Sequence, residues 1–425
     1  MNKAASGSSP EYPKYRYIIL TVFMLISLAM QIQWLSHAAV VRPAEVFYAG
    51  QFDPSSFFNI DFLAMVYMLV FILMSFPASY LIDTYGIKFG LRLASVMLAA
   101  FSLLKAIFAH NFVIVVVAQT GLAIAQPLIL NAITALTVRW FRLHERALAA
   151  GLSTLAQYLG ILLAMLLAPV LVGSNPNLPG YGTGFEKMLW IYAAISAVSA
   201  LLCIFLIKER PEGATMEDTD RFDFFKGLRH ILRLRDMRLL IILFLIGLGI
   251  FNAVSSMTDS IAEQIGVQDS DGLIGGLMLI GGIIGAFIIP ALSDKFRKRK
   301  IFIVICMIGM VPGIAGLAFP GFITDNAESM YTAALIASFL LGFFVMSAGP
   351  IGFQYAAEIS YPAPESTSQG ILLWIGQISG MIFVAGMSIK DNQYLHTFMI
   401  LFAALTIITL IISMLLRESK IILNA

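Results

Sequence analysis

Charged residues are scarce in this chain of 425 residues. Asp, Glu, Lys and Arg make up 12% of it, hydrophobic residues make up 59%, and the mean hydropathy is +0.87. A soluble domain has roughly a quarter of its residues charged. The shortage excludes a water-soluble globular protein and indicates a chain that uses lipid as its solvent.

Cysteines and catalytic motifs are also scarce. The two cysteines, Cys203 and Cys306, each lie inside an apolar run, so they predict neither a disulfide framework nor a metal site. The sequence contains no Walker-type glycine loop, no His/Glu metal spacing and no clustered nucleophile and base. We therefore expect no metal, no cofactor and no enzymatic activity.

Long apolar runs, in contrast, are abundant. Twelve of them are close to the ~20 residues that a helix needs to cross a bilayer, and they are continuously apolar, not alternating as in membrane strands. The chain is thus predicted to be an all-α membrane protein with twelve transmembrane helices. The runs lie near residues 17–40, 57–82, 88–109, 112–138, 147–172, 187–207, 238–260, 272–292, 300–319, 331–356, 368–388 and 394–416.

The positive charges predict an orientation. With a cytoplasmic N-terminus, all but four of the 27 Lys and Arg residues lie on the cytoplasmic side, the four being Arg42, Lys105, Lys187 and Lys390. The positive-inside rule then places both termini in the cytoplasm, and we expect the plasma (inner) membrane. Because these charges are spread over many short loops, we expect no nucleic-acid partner.

One long connection divides the runs into two sets of six. The predicted organisation is a disordered cytoplasmic tail (1–16), an N-terminal six-helix bundle (17–207), a cytoplasmic linker (208–237), a C-terminal six-helix bundle (238–416) and a cytoplasmic tail (417–425). A linker of this length is too short for a folded receptor or sensor domain.

Two sequence echoes indicate that the bundles are repeats. Asp83-Thr-Tyr-Gly86-Ile-Lys88 returns about half a chain later as Asp294-Lys-Phe-Arg297-Lys-Arg299. The segment from Glu145 to Gly151 similarly returns as Glu365 to Gly370, and a polar residue, Tyr158 or Gln377, lies seven positions after each glycine. The echoes run in the same direction through the membrane, which predicts parallel repeats with a solute cavity between them near the midplane.

The charged turns can connect neighbouring helices at the cytoplasmic face. Asp83 can accept hydrogen bonds from a helix N-terminus, and Lys88 or Arg92 can neutralise carbonyl ends. Such a contact, called a latch below, would open and close during transport, although Lys295, Lys298 and Lys300 can equally be orientation signals only. The latch candidates are Asp83, Gly86, Lys88, Arg92, Asp294, Arg297, Arg299, Glu358 and Glu365.

Polar and aromatic residues inside the apolar runs are candidates for solute binding. An aromatic wall with neutral amides suits an ammonium group through cation–π attraction, and also suits a flat aromatic or a zwitterion. Alternatively, Trp34 is an interfacial residue, Gln126 joins helices and His37 is a packing residue. The candidates are Gln31, Trp34 and His37 on one predicted helix face, with Gln126, Gln157, Tyr158, Asn252, Trp374 and Gln377.

No carboxylate lies at the centre of a predicted span, which favours facilitated or weakly coupled movement over proton-driven transport. The remaining candidate proton sites are His37, Glu45 and Asp259.

The two charged turns, on twelve spans in two halves, resemble the signature loop of the major facilitator superfamily. The pattern departs from it at Ser79, Pro290 and Arg297, where that loop has glycine. Longer stretches resemble the feline leukaemia virus subgroup C receptor family. They include Gln33-Trp34-Leu-Ser, Ile60-Asp61-Phe-Leu-Ala-Met-Val-Tyr67, Gln126-Pro127 and Glu358-Ile-Ser-Tyr361-Pro362-Ala-Pro364-Glu365-Ser.

This closer resemblance implies transport of choline or ethanolamine, or else export of haem. It implies that Trp34 and Gln377 contact the solute. Tyr158 and Asn252 stand where the family has a glutamine and a tyrosine, and Trp374 is an additional aromatic residue. We expect a secondary transporter of a small organic solute, a functional monomer surrounded by membrane lipid, that works by alternating access. The alternatives are an exporter of haem or another flat amphiphile, and a proton-coupled carrier of a different metabolite.

Overall fold

The computed structural model describes residues 14–52, 58–60, 62–173, 179–210, 222–266, 273–319, 326–387 and 393–423. This part of the chain is almost entirely helical and contains no strand. Short 3₁₀ turns occupy Ala38–Val40 and Leu143–Glu145. The α-helices are α1 (Tyr15–Trp34), α2 (Val41–Phe47), α3 (Phe62–Tyr85), α4 (Ile87–Ile107), α5 (Phe112–Leu130), α6 (Ala132–Trp140), α7 (Arg146–Leu171), α8 (Phe185–Leu206), α9 (Phe224–Arg233), α10 (Arg235–Ser256), α11 (Thr258–Gln264), α12 (Leu273–Phe296), α13 (Lys300–Ala318), α14 (Ala327–Ser360), α15 (Glu365–Met387), α16 (Leu395–Met414) and α17 (Lys420–Leu423).

Twelve segments of the described chain are long and apolar enough to cross a membrane. Each predicted apolar run overlaps one of them, so the prediction of twelve spans in an all-α protein is confirmed. Three of the spans are made of successive helical segments and not of one continuous α-helix. They contain α1 followed by α2, α5 followed by α6, and the second 3₁₀ turn followed by α7. Cys203 and Cys306 are free and buried.

The buried apolar side chains lie on either side of the α8–α9 connection. Those between residues 19 and 207 form two clusters, and those between residues 231 and 416 form a third. We call α1–α8 the first half and α10–α16 the second half. The predicted boundaries remain predictions, and residues 1–13 of the predicted tail and 211–221 of the predicted linker lie outside the described chain. The tail prediction overlaps α1 by two residues because the helix already begins at Tyr15.

Two helix pairs make most of the contact between the halves: α7 with α12, and α3 with α15. The two echoed glycines lie in these pairs. A Cβ atom on Gly151 would lie 2.3 Å from the carbonyl oxygen of Ala286, and one on Gly370 would lie 2.4 Å from Ser79 Oγ. The absence of a side chain therefore lets each pair of helices approach closely. The echo seen in the sequence marks equivalent crossing points of the two halves.

Each charged turn contains one residue with a positive φ. Gly86, between α3 and α4, has φ +92°, and Arg297, at the equivalent place between α12 and α13, has φ +53°. A positive φ is easy for glycine and costs other residues roughly 1–2 kcal/mol. A Cβ atom on Gly86 would also lie 2.5 Å from Glu209 Oε2, whereas the Arg297 side chain is exposed. The second turn thus has its positive φ at a residue that bears a side chain.

We predict opposite effects of substitution at these two positions. Gly86→Ala should lower the thermal stability of the purified protein, because about 1 kcal/mol of backbone strain adds to the contact with Glu209. Arg297→Gly should leave stability unchanged or raise it, because it relieves strain and removes only an exposed side chain. Melting temperatures in detergent test this, and an equal loss in both variants would show that backbone strain and the contact with Glu209 do not decide stability at these positions.

Candidate functional site

The described hydrogen bonds between the halves lie on one side of the molecule, where α3 and α12 end and α7 and α15 begin. We call it the charged-turn face. Asp83, near the end of α3, accepts hydrogen bonds from the backbone N–H (3.0 Å) and the hydroxyl (2.6 Å) of Thr367 in the first turn of α15. Asp294, near the end of α12, accepts a hydrogen bond from the N–H of Leu148 (2.7 Å) in the first turn of α7.

Each carboxylate therefore caps a helix that belongs to the opposite half. The first N–H groups of a helix have no partner within it and carry the positive end of the helix dipole, so an aspartate is a favourable partner. The expectation that Asp83 receives hydrogen bonds from a helix N-terminus agrees with this contact. Its role as a latch remains a prediction.

Arg299 forms the centre of a buried ion cluster in the second half. Its side chain is 0% exposed, and the guanidinium contacts Asp294 Oδ1 (2.5 Å) and Glu358 Oε1 (3.0 Å). It also donates across the halves to the carbonyl of Leu143 (3.2 Å). Burial disfavours the charge of Arg299, but the two carboxylates outweigh this effect and raise the pKa of its guanidinium. The cluster thereby fixes the direction in which Asp294 faces α7.

The first half has an equivalent arrangement made from different residues. Glu209, just after α8, accepts hydrogen bonds from the N–H groups of Ile87 (3.2 Å) and Lys88 (2.8 Å) and so caps α4. It also forms an ion pair with Arg139 at the end of α6.

Glu418, just after α16, likewise caps α13 through the N–H groups of Arg299 (2.7 Å) and Lys300 (3.1 Å). Sequence reasoning missed both glutamates, although they stand at equivalent places after the sixth and twelfth spans.

The latch roles of Lys88 and Arg92 remain predictions. The Lys88 side chain is exposed and only its backbone N–H is engaged, while Arg92 Nε is buried without a partner among the described residues. Arg139 supplies the positive charge instead, because the end of α6 brings it to Glu209. Glu365, the first residue of α15, is buried beside the Thr367 cap.

Further hydrogen bonds extend this interface towards the middle of the molecule. Ser79 donates to the carbonyl of Ser366, Ser75 to that of Gly370, Gln369 contacts Thr134 and Leu130, and Gln354 donates to Thr137. The contact farthest from the charged-turn face joins the indole N–H of Trp374 to the carbonyl of Ile72 (2.9 Å), and the Trp374 ring lies 5.1 Å from that of Phe76. The halves are therefore closed from the charged-turn face as far as Trp374.

Gln377 lies one helical turn beyond Trp374 on α15, where this closed interface stops. Its side chain is half-buried, and its Oε1 is buried with no hydrogen-bond partner among the described residues. A buried acceptor without a partner costs roughly 1–3 kcal/mol. In the first half, Oε1 of Gln31 and the hydroxyl of Tyr67 are in the same situation. These groups are suited to hold a hydrogen-bond donor or a cation.

Trp34 is the last residue of α1, and its position is well defined. The indole N–H donates to the carbonyl of Ala64 (3.0 Å), and the ring lies 6.2 Å from that of Tyr67. Gln31 packs one turn earlier, against Gly160 of α7. Among the described residues, no hydrogen bond or ring contact joins Trp34 to Gln377, so a site made by both residues remains a prediction.

The other candidates occupy three separate places. Gln157 and Tyr158 line a mainly apolar cavity of about 100 Å³ between α5–α7 and helices α10, α13, α14 and α15. Asn252 instead contacts the carbonyl of Gly376 (3.4 Å) within the second half. Gln126 is buried on α5. The structure thus brings Gln157 and Tyr158 together in one cavity.

His37 does not lie on the predicted helix face with Gln31 and Trp34, because α1 ends at Trp34 and His37 lies in the turn that follows. Its ring is buried, stacks on Phe185 at 5.8 Å and contacts Ser36 through Nδ1 (3.1 Å). Glu45 is exposed on α2. The side chain of Asp259 lies outside what the structure describes.

Comparison with known proteins decides the family. The model of the Major Facilitator Superfamily matches residues 18–384. The chain belongs to the major facilitator superfamily. It is a multi-pass integral membrane protein, and its superfamily is one of secondary transporters of small solutes.

Individual relatives agree with this assignment. The chain is 28% identical to solute carrier family 49 member A3 of Xenopus tropicalis over 398 residues, which cover 90% of this chain and 79% of that protein. It is 27% identical to the choline/ethanolamine transporter FLVCR1 of Felis catus over 392 residues, covering 89% and 68%. This match confirms the resemblance to the feline leukaemia virus subgroup C receptor family.

Solved structures show the same fold. The E. coli transporter FucP in its outward conformation superposes with a TM-score of 0.74 at 16% identity, over 96% of this chain and 99% of that one. The predicted fold class is therefore confirmed.

The departures from the superfamily loop have structural explanations. Ser79 uses its hydroxyl between the halves, where it donates to Ser366 and accepts from Asn131 Nδ2 (2.9 Å). Pro290 packs against the crossing-point residue Gly151. Arg297 has a positive φ of +53°, a conformation that favours glycine, and its side chain is exposed.

We predict that Arg299→Met strongly destabilises the protein. It leaves the buried carboxylates of Asp294 and Glu358 without their cation, a change that typically costs about 3–5 kcal/mol. Lys298→Met is the matched control, because that neighbouring side chain is exposed. Thermal unfolding in detergent should show a large loss for the first variant and none for the second.

A combined variant checks the cause. If unpaired buried charge is responsible, adding Asp294→Asn and Glu358→Gln to Arg299→Met should recover part of the lost stability. No recovery, or an equal loss in Lys298→Met, would contradict the assigned role of the cluster.

Proposed function

We propose that this transporter moves a small organic amine, of the choline or ethanolamine type, by alternating access. The observation that carries the proposal is the unpartnered amide oxygen of Gln377, one turn beyond the closed Trp374 contact. The similarity to choline/ethanolamine transporters supports the choice of solute class.

The chemistry of the candidate groups fits such a solute. The ring faces of Trp34 and Tyr67 offer cation–π attraction, worth roughly 0.5–2 kcal/mol for each good contact. Amide oxygens of Gln377 and Gln31 can accept hydrogen bonds from a primary ammonium or from the hydroxyl group of the solute. Neither group carries a charge, so the solute can be released as well as bound.

The charged-turn face provides the moving contact in this proposal. The caps made by Asp83 and Asp294 join the halves. When the halves separate at this face, both caps break. A typical helix cap contributes about 0.5–2 kcal/mol. Contacts of that size can be exchanged for others within a transport cycle, which is what a latch requires.

We also propose the orientation, the membrane and the oligomeric state of the protein. The distribution of Lys and Arg favours the charged-turn face and both termini in the cytoplasm, in the plasma (inner) membrane. The lipid-facing surface is rich in exposed apolar residues, among them Val170 and Phe205, which suits direct contact with membrane lipid. Because each half finds its cap partners within the same chain, we propose a functional monomer.

Haem export is not favoured by the structure around His37. Haem iron suits a histidine ligand, and the ring of His37 is enclosed by Phe185 and Tyr48 of the first half. A porphyrin would have to displace these rings before it reached the imidazole.

We predict that proteoliposomes containing the purified protein take up radiolabelled choline or ethanolamine. Gln377→Ala should weaken apparent affinity about 10- to 100-fold, because a hydrogen bond to a charged group is worth roughly 1.5–3 kcal/mol. Trp34→Ala should weaken it as well, through the lost ring face. Initial uptake rates over a range of solute concentrations measure both effects.

Two matched controls separate binding from folding. Gln264→Ala and Trp190→Ala remove the same side chains from exposed positions and should leave uptake unchanged. Full affinity in both Gln377→Ala and Trp34→Ala would show that the proposed site is wrong.

The same vesicles test the energy source. We predict that an imposed pH gradient changes the uptake rate little, because the two candidate proton sites whose side chains the structure describes do not suit coupling: His37 is enclosed and Glu45 is exposed. A strong acceleration by the gradient would favour a proton-coupled carrier and contradict facilitated movement.

A further inference from the structure

A buried lysine lies in the first half, remote from the charged turns. The sequence placed Lys105 on the non-cytoplasmic side, near the end of the predicted run 88–109. In the structure it belongs to the last turn of α4, and its side chain is 0% exposed. The side chain points into the bundle, where neutral oxygen atoms accept hydrogen bonds from its ammonium group. An ionisable residue inside a membrane bundle is costly and is by default a candidate for function.

The hydrogen-bond partners of the Lys105 ammonium are all polar and uncharged. Its Nζ lies 2.6 Å from Ser36 Oγ, 2.6 Å from Gln119 Oε1, and 3.4 Å from both the backbone and the side-chain oxygen of Gln33. Among the described residues no carboxylate pairs with it. We call Gln33, Ser36, Lys105 and Gln119 the Lys105 cluster.

Lys105 determines how the Gln119 amide is oriented. An ammonium group can only donate hydrogen bonds, so the amide oxygen must face it and the amide nitrogen must face away. That nitrogen lies 3.2 Å from the carbonyl oxygens of Gln33 and Trp34, and 3.0 Å from that of Leu63. One glutamine therefore connects the lysine on α4 to the end of α1 and the start of α3.

The end of α1 needs these contacts. The last carbonyl groups of a helix have no partner within it and carry the negative end of the helix dipole. In lipid-buried protein such groups must be satisfied by other parts of the chain. The Lys105 cluster supplies both hydrogen-bond donors and a compensating positive charge, and the span breaks at this point into the turn at residues 35–37.

The residue at the break is Trp34. Gln119 holds its backbone carbonyl, and Ala64 accepts its indole N–H (3.0 Å). The backbone carbonyl of Trp34 is thereby held against α5, and its indole ring is held against α3. We propose that Lys105 and Gln119 are positioning residues, which set the end of α1 and so hold Trp34 in place for the solute. The effect on the solute rests on the proposed function, whereas the effect on α1 does not.

Hydrogen–deuterium exchange of the purified full-length protein tests the structural step without any solute. In Lys105→Met, backbone amides of residues 31–38 should exchange at least about tenfold faster, since hydrogen bonds to a charged group are lost there. Lys187→Met is the control, because that lysine is exposed at the start of α8. It should leave exchange in residues 31–38 unchanged.

A second variant guards against simple misfolding. Gln119→Glu can still pair with the Lys105 ammonium but loses the N–H groups that reach Gln33, Trp34 and Leu63. Exchange in residues 31–38 should rise in this variant too, while α10–α16 remain protected. Unchanged exchange in residues 31–38 of both variants would overturn the proposal.

Choline titration of the same proteins tests the effect on binding. Lys105→Met should weaken choline affinity to the same degree as Trp34→Ala, and the double variant should lose no more, because both changes act through one residue. Faster exchange with unaltered choline affinity would overturn the positioning role. If the unsubstituted protein itself does not bind choline, the solute assignment fails, and the exchange measurement still decides whether Lys105 sets the end of α1.

Discussion

The starts of α7 and α15 depend on carboxylates that the opposite half provides. The N–H groups in the first turn of a helix cannot be satisfied within the helix, and Asp294 and Asp83 accept hydrogen bonds from them at 2.7 and 3.0 Å. Because donor and acceptor lie on different halves, the two halves cannot separate at this face without exposing both groups. The close glycine crossings at Gly151 and Gly370 lie a turn or so farther in and depend on the same alignment. These two contacts hold this face closed on one side of the proposed solute site.

The two halves support their aspartates differently. Asp294 belongs to a buried cluster with Arg299 and Glu358, which is shielded from solvent and therefore electrostatically strong. Asp83 has a hydroxyl and an amide of Thr367 as its partners, and the cation of that half, Arg139, is paired with Glu209 instead. Glu209 lies just after α8, so the charged turn of the first half contacts the connection between the halves. The charged turn of the second half is held by residues of its own half. The repeat thus preserves the caps but not the way in which their charges are balanced.

Much of the fold was predictable because it depends on local composition. Twelve apolar runs predicted twelve spans, and the echo of Asp83 and Asp294 predicted equivalent turns. The echo of Gly151 and Gly370 marked the two close crossings.

What the sequence could not show depends on partners brought together in space. Glu209 and Glu418 look like ordinary loop charges until the folded bundles place them on the starts of α4 and α13. Lys105 was counted only as one of the few charges on the non-cytoplasmic side, because the acceptors that bury it come from the end of α1, the turn after it and α5. His37 was misplaced because helical spacing was extended past Trp34, where the helix ends.

Distances between spin labels on the two halves test the central claim most directly. With Cys203 and Cys306 replaced by alanine, one label pair at Lys88 and Lys298 reports on the charged-turn face, where both side chains are exposed. A second pair, at Lys187 and Tyr394, reports on the opposite face. If the two caps hold the charged-turn face closed, Asp83→Ala with Asp294→Ala should add a longer distance between the first pair and a shorter one between the second. Unchanged distance distributions in a folded double variant would contradict the account.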